Sequence, residues 1–400
     1  MMGSPARTKQ LAALSRTSGH GQGGLSLVEL MVAMALSLLI VMALTGLFVD
    51  VSRSNAEMAK TNTQIENARF AMQFLRNDLI HAGYWNAHIP EFDDLSHTGA
   101  PTDYPTAIPA PCAEFDDWDT NVDGLVDAAD DYVRGLMAIP LQAYDSVPSG
   151  CTLPNYLADT DVLLVRHAQT CAVGDVNCDP FDPNELYFTN ANCYSGQINA
   201  GINFTLDPNS PVTPFELDCA TPVAPRRYVQ SIYYIRDYAV DPGDAIPTLV
   251  RSEFGFSGGE LKQQPAQALV EGIERFRVEL GLDRKSDTGE DVDPNDPIAW
   301  ADEDVRYSPR NRGDGVPESF VHCEPSCALD ELTNVVAVKL FLLARATEVS
   351  AGYADTKTYQ LGSGFTVAAA DLPAGTGFKR HAFSSTVRLN NVSGRRETPP

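Results

Sequence analysis

The chain has 400 residues, enough for two or three ordinary domains, and 44% hydrophobic against 20% charged residues supplies a sizeable core, which excludes a disordered tail protein. Twenty-nine Lys and Arg against 53 Asp and Glu leave a net charge of −24. A field of that sign repels phosphate backbones and anionic headgroups, so nucleic acid is excluded as a partner and cations suit the surface better.

The first 24 residues hold Arg7, Lys9 and Arg16 and no acid. From Leu25 to Val49 only Ser26, Glu29, Ser37, Thr45 and Gly46 interrupt twenty apolar residues, a length that spans a bilayer. With the basic residues before the run and the acidic bulk after it, the positive-inside rule predicts one span, N-terminus in the cytoplasm and everything beyond about Val49 outside. A secretory signal would have a shorter apolar core followed by a small-residue cleavage site; here the cluster Gly21 to Gly24 precedes the run. Glu29 lies inside the apolar segment, where an ionised carboxylate costs about 2.5–3.5 kcal/mol. It either snorkels to the interface or has a partner.

The helical pattern continues past the lipid boundary. Met58, Ile65, Ala68, Met72, Leu75 and Leu79 recur at helical spacing between charged residues. A continuous helix from Leu25 to about Ala82 would run roughly 58 residues and about 87 Å, ending at Gly83. Strand-like sequence follows directly, which predicts that the second half packs on a head rather than forming a coiled-coil stalk. Residues 160–169, 227–238, 246–254, 267–282, 333–348 and 378–391 are β-branched or aromatic runs bounded by turn residues and read as strands. The expected fold class is therefore α+β, with the amphipathic half-helix against a largely antiparallel sheet. Residues 86–155, 171–226 and 283–318 are rich in Pro, Asp and Asn and read as long loops, and residues 395–400 as a frayed tail.

All eight cysteines, Cys112, Cys151, Cys171, Cys178, Cys193, Cys219, Cys323 and Cys327, follow the apolar run. An even count in an oxidising compartment predicts disulfides. Their connectivity is open, with Cys171–Cys178 and Cys323–Cys327 suggested only by proximity; His322 reads as a surface histidine. Between Cys112 and Cys151, Asp119, Asn121, Asp123, Gly124, the Leu125 carbonyl, Asp127 and Asp130 follow the spacing of a loop wrapping one Ca²⁺, with Asp127 acting through water. An acidic surface turn is the competing reading. The histidines fall in no motif with Ser or Cys, and no phosphate-binding, dinucleotide or metallohydrolase signature is present, so no catalysis is expected.

Gly24 followed by Leu25-Ser26-Leu27-Val28-Glu29-Leu30 resembles the type IV prepilin signal. The resemblance implies a prepilin peptidase that cuts after Gly24 and methylates Leu25, and pairing of Glu29 with the amine of a neighbouring subunit during assembly. The segment Asn67 to Tyr84, which runs into Ala82-Gly83-Tyr84, is similar to the end of the first helix in the PilW family of type IV pilus assembly proteins. Shorter echoes follow at Asp161 to Arg166, Tyr233 to Arg236, Leu269 to Glu274, Val335 to Lys339 and Phe383 to Asn390. What this implies is a minor pilin of the inner membrane and then the pilus. Its leader would be residues 1–24, its membrane and assembly helix 25–49, its amphipathic half-helix 50–83 and its extracytoplasmic head 84–394. The implied partners are the major pilin, other minor pilins and a large tip adhesin. A type II secretion minor pseudopilin and a membrane-tethered, calcium-dependent adhesin remain alternatives.

Overall fold

In the computed structural model, residues 24, 26–121, 126–198, 203–206, 212–301 and 308–397 are described. Helix α1 spans Leu27–Leu79, and the chain divides into two compact units between Met58 and Ala59. In the first unit every described residue from Leu27 to Met58 except Glu57 is exposed. No burial inside the chain accounts for the apolar run.

In the second unit, α1 places Gln64, Ala68, Ala71, Leu75 and Leu79 in the core. Of the expected stripe, Ala68, Leu75 and Leu79 are buried and Ile65 and Met72 partly buried. Met58 is exposed, and Gln64 is buried because its Nε2 donates to the Ala344 carbonyl at 2.6 Å. The last turn of α1 is followed by Gly83 at φ +71°, the left-handed conformation that favours glycine after a helix.

The first sheet contains β1 (Leu141–Tyr144), β2 (Val162–Ala172), β3 (Tyr187–Asn190), β4 (Phe204–Thr205), β5 (Arg226–Arg236), β6 (Thr248–Ser257), β7 (Glu260–Gln263) and β8 (Gln267–Glu271). Then come β9 (Ile273–Leu282), β10 (Ser319–Val321), β11 (Val335–Arg345), a small hairpin of β12 (Thr358–Gln360) and β13 (Thr366–Ala368), and β14 (Arg380–Arg388). The second sheet runs β10-β9-β11-β14. The pairings within both sheets are antiparallel, so the α+β expectation holds. The buried face of α1 joins one core with residues of both sheets, among them Leu163 and Ile235 from the first and Phe276 and Leu340 from the second.

One expected strand is two. Residues 267–282 break at Gly272, whose φ is +81°; β8 pairs with β6 in the first sheet and β9 with β11 in the second. A Cβ at Gly272 would stand 2.8 Å from the Arg345 carbonyl oxygen. Gly272→Ala is therefore expected to cost about 1–3 kcal/mol through the left-handed backbone alone, with the steric contact adding to it. Urea unfolding of the variant checks this; an unchanged midpoint would refute it.

Two of the expected loops contain folded elements. Residues 86–155 carry α2 (Asp131–Ala138) and β1, and 171–226 carry β3 and β4. Beneath them Trp85, Trp118, Phe188, Phe204, Tyr228 and Phe254 form an aromatic core of their own, held by ring contacts such as Trp118 on Phe254 at 4.9 Å.

The expected frayed tail is also corrected. Beyond the short helix α3 (Leu329–Leu332), residues 390–396 form helix α4 (Asn390–Arg396), and Arg396 is buried. Asn391 Nδ2 donates to the Ile80 and Ala82 carbonyls at 3.1 and 3.3 Å, and Arg395 Nη2 to the Gly83 carbonyl at 2.9 Å. Carbonyls of the turn that follows α1 are thus satisfied by α4. Positions 398–400 lie outside the described residues.

Candidate assembly site and loop sites

The N-terminus of α1 is built as a capping box. Ser26 Oγ accepts the Glu29 N–H at 3.2 Å and Glu29 Oε2 accepts the Ser26 N–H at 2.9 Å, which satisfies two donors that a helix start leaves open. The S-x-x-E spacing was legible in the sequence, yet Glu29 reads there only as a charge. Gly24 is exposed; Leu25 and the leader before Gly24 lie outside the described residues.

The four cysteine pairs are Cys112–Cys151, Cys171–Cys178, Cys193–Cys219 and Cys323–Cys327. Two of them are the pairs that proximity suggested.

Of the calcium-loop residues, Asp123 and Leu125 lie outside the described residues. Asp130 is fully buried. Its Oδ1 accepts the N–H of Thr120 at 2.7 Å and of Asn121 at 3.1 Å, and its Oδ2 the N–H of Asp127 at 3.0 Å. Asp127 Oδ1 accepts the Ala129 N–H at 2.8 Å. The spacing called for Asp130 as a twelfth-position ligand, but its carboxylate staples the loop backbone. Asp119 and Asn121 make contacts of their own. The acidic trio that does converge among the described residues is Asp283, Asp314 and Glu318, where Asp283 is already bonded to the Asp314 and Gly315 N–H groups and to Arg396.

Two histidines are tied into the head by carboxylates. His167 Nε2 meets Asp78 Oδ1 at 2.9 Å while its Nδ1 meets the Ala168 carbonyl at 2.9 Å, and Tyr233 donates to the other Asp78 oxygen at 2.9 Å. Both ring nitrogens face acceptors, an arrangement only the imidazolium satisfies. Burial opposes that charge, but the Asp78 contact outweighs it and the pKa is raised. His322 is not a surface histidine: it is half-buried, with Nε2 at 3.0 Å from Asp161 and Nδ1 at 3.0 Å from Glu324. The hydrogen bond to Asp161 raises its pKa, against a smaller opposing effect of burial.

For a histidine with a raised folded pKa, the stabilisation is complete below the unfolded value of about 6.5 and is lost as pH rises through the folded pKa. The head is therefore expected to weaken as pH rises above about 6.5, with part of that slope removed in His322→Gln. Urea midpoints across the range test it, and a slope unchanged in the variant would count against it.

The structure defines a class: an antiparallel α+β head whose packing helix continues into an exposed apolar helix of membrane length. Residues 232–391 match the family model of the type IV pilus-assembly protein W, PilW, so over that stretch, less than half of its length, the chain is similar to that family. A type IV-like pilin from Thermus thermophilus is a structural neighbour at 13% identity and a TM-score of 0.28, covering 63% of this chain and 82% of that one. None of the curated proteins matches the chain.

Proposed function

We propose that this chain is a minor pilin, made as a prepilin, cut after Gly24, methylated on Leu25 and inserted through Leu25 to Val49 into the inner membrane and then into a complex that primes pilus growth. The carrying observation is the helix from Leu27, apolar on all faces, with a mean hydropathy of 2.6 over its candidate span and none of that span buried. Such a helix needs lipid or other helices around it. The capping box leaves Glu29 Oε1 without a hydrogen bond among the described residues, open to the amine of an adjoining subunit; two charges costly alone in lipid are tolerable as a pair. The family match favours a pilus over a secretion pseudopilin. A head unit of more than 300 residues suits the tip better than a repeating shaft, next to other minor pilins and the major pilin. The role is structural rather than catalytic.

Glutamine also serves a capping box, so Glu29→Gln removes the charge and keeps the cap, whereas Ser26→Ala weakens the cap and keeps the charge. The expected result is loss of incorporation and of pilus initiation in Glu29→Gln and near-parental behaviour in Ser26→Ala. Mass spectrometry of the mature N-terminus, with and without the prepilin peptidase, should show methylated Leu25 only in its presence. An uncut chain, or parental assembly by Glu29→Gln, would refute the reading.

A further inference from the structure

A cavity of about 270 Å³ opens between the β5–β6 loop, the start of β9, the end of β11 and the segment before β14, with Arg275 and Arg345 in its wall. Both side chains are almost fully buried, at 4% and 3% exposure. Even so, Arg275 Nε and Arg345 Nε and Nη1 have no hydrogen-bond partner. The nearby carboxylate is already committed: Glu274 receives Arg380 Nε at 2.6 Å and Nη2 at 3.1 Å and stands 3.9 Å from Arg345 Nε. Asp355 lies 3.5 Å from Arg380 Nη1. Three buried guanidiniums thus share two buried carboxylates. Arg275 Nη1 donates to the Glu274 carbonyl at 3.1 Å and its Nη2 stands 4.0 Å from Asp159, which, like Asp237, is exposed.

Leaving buried donors unpaired costs about 1–3 kcal/mol, more for charged groups, and the loop is braced to hold them where they are. Asp244 accepts the N–H of Ala239, Val240 and Ile246. Ala245 sits at φ +54° and presents its carbonyl to Arg345 Nη2. Phe378 covers the Arg345 guanidinium at 4.1 Å, which offsets part of the charge without using its N–H groups. Burial lowers the pKa of both arginines, as it does for cations lacking full compensation.

We propose that this cavity is an anion site for a monocarboxylate on a small apolar body. The guanidinium fork matches a carboxylate, a single negative charge offers acceptors to the unpartnered Arg275 and Arg345 donors, and Leu157, Pro247, Pro373 and Ala374 offer the remainder of the ligand an apolar wall. The acids at the rim disfavour a dianion such as phosphate.

This assignment is independent of the pilin reading. The test is calorimetric titration of the full chain in detergent micelles with isobutyrate, isobutyramide and inorganic phosphate. Isobutyrate should bind at least about tenfold more tightly than either of the others. Ala374→Phe, which fills the cavity and leaves the arginines in place, and Arg345→Lys should each weaken isobutyrate about tenfold or more with the thermal transition retained. If Arg345→Lys does not fold, Ala374→Phe decides. Absence of isobutyrate binding, equal binding of isobutyramide, phosphate preferred over isobutyrate, or parental affinity in Ala374→Phe would each overturn the assignment.

Discussion

Arg396→Ala is expected to lower the unfolding free energy of the head by about 3–5 kcal/mol, the range for removing one partner from a buried ion pair. Arg396 Nε donates to Asp93 Oδ1 at 2.9 Å, Nη1 to Asp283 Oδ2 at 3.3 Å and to Asn334 Oδ1 at 2.9 Å, and Nη2 to the Thr333 carbonyl at 2.8 Å. Asp93 is 5% exposed and Asp283 fully buried, so the substitution strands two carboxylates away from water. Asp93 keeps Arg395 at 3.7 Å as a neighbouring cation, with Arg312 also acting on it electrostatically. The pH dependence offers an internal check. Burial already pushes the Asp283 carboxyl up to about 6, and a raised carboxyl pKa means that stability falls as pH rises through that window. The deficit of Arg396→Ala should accordingly be smaller at about pH 5 than at about pH 8. Urea unfolding followed by the buried Trp85 and Trp118 measures both; a loss under about 1 kcal/mol would show that α4 does not hold the head together.

Replacing Cys112 and Cys151 together by serine is expected to cost about 4 kcal/mol, the chain-entropy value for a bridge closing a loop of this size. The two residues are 39 apart and enclose α2, β1 and the buried Trp118, Val133 and Leu136. The Cys323–Cys327 bridge, with a separation of 4, is the control, since a short loop restrains the unfolded chain less and its removal should cost about 2 kcal/mol. Equal losses from the two double variants, in urea unfolding without reductant, would contradict this ranking.

Much of the head was legible because strands with buried faces announce themselves. Val335 to Arg345 is almost unbroken in apolar residues and forms the centre of the second sheet. Gly272 was harder: the residues on both sides favour strand, and only an isolated glycine in the run hinted at a break. The tail misled because Arg395 and Arg396 read as solvated. The partners that bury Arg396 are 303 and 113 residues away, and no local pattern carries that information. In the loop at Asp119, spacing reported the residue types but not that Asp130 turns its oxygens onto backbone N–H groups. At Ser26 and Glu29 a capping motif lies inside the segment that resembles a prepilin signal. Arg275, Arg345 and Arg380 are scattered along the chain and meet only through the register of β9, β11 and β14.

The clasp made by α4 also bears on the order of events during biosynthesis. Asp93 emerges early and finds its counter-charge only when Arg396 has been made, and the carbonyls of Ile80 and Ala82 wait equally long for Asn391. Contacts of such sequence separation close late and slowly. A nascent head that stalls before residue 390 would therefore keep the end of its first helix and an unmatched acid open to water, a substrate for quality-control proteases until translation reaches the closing segment.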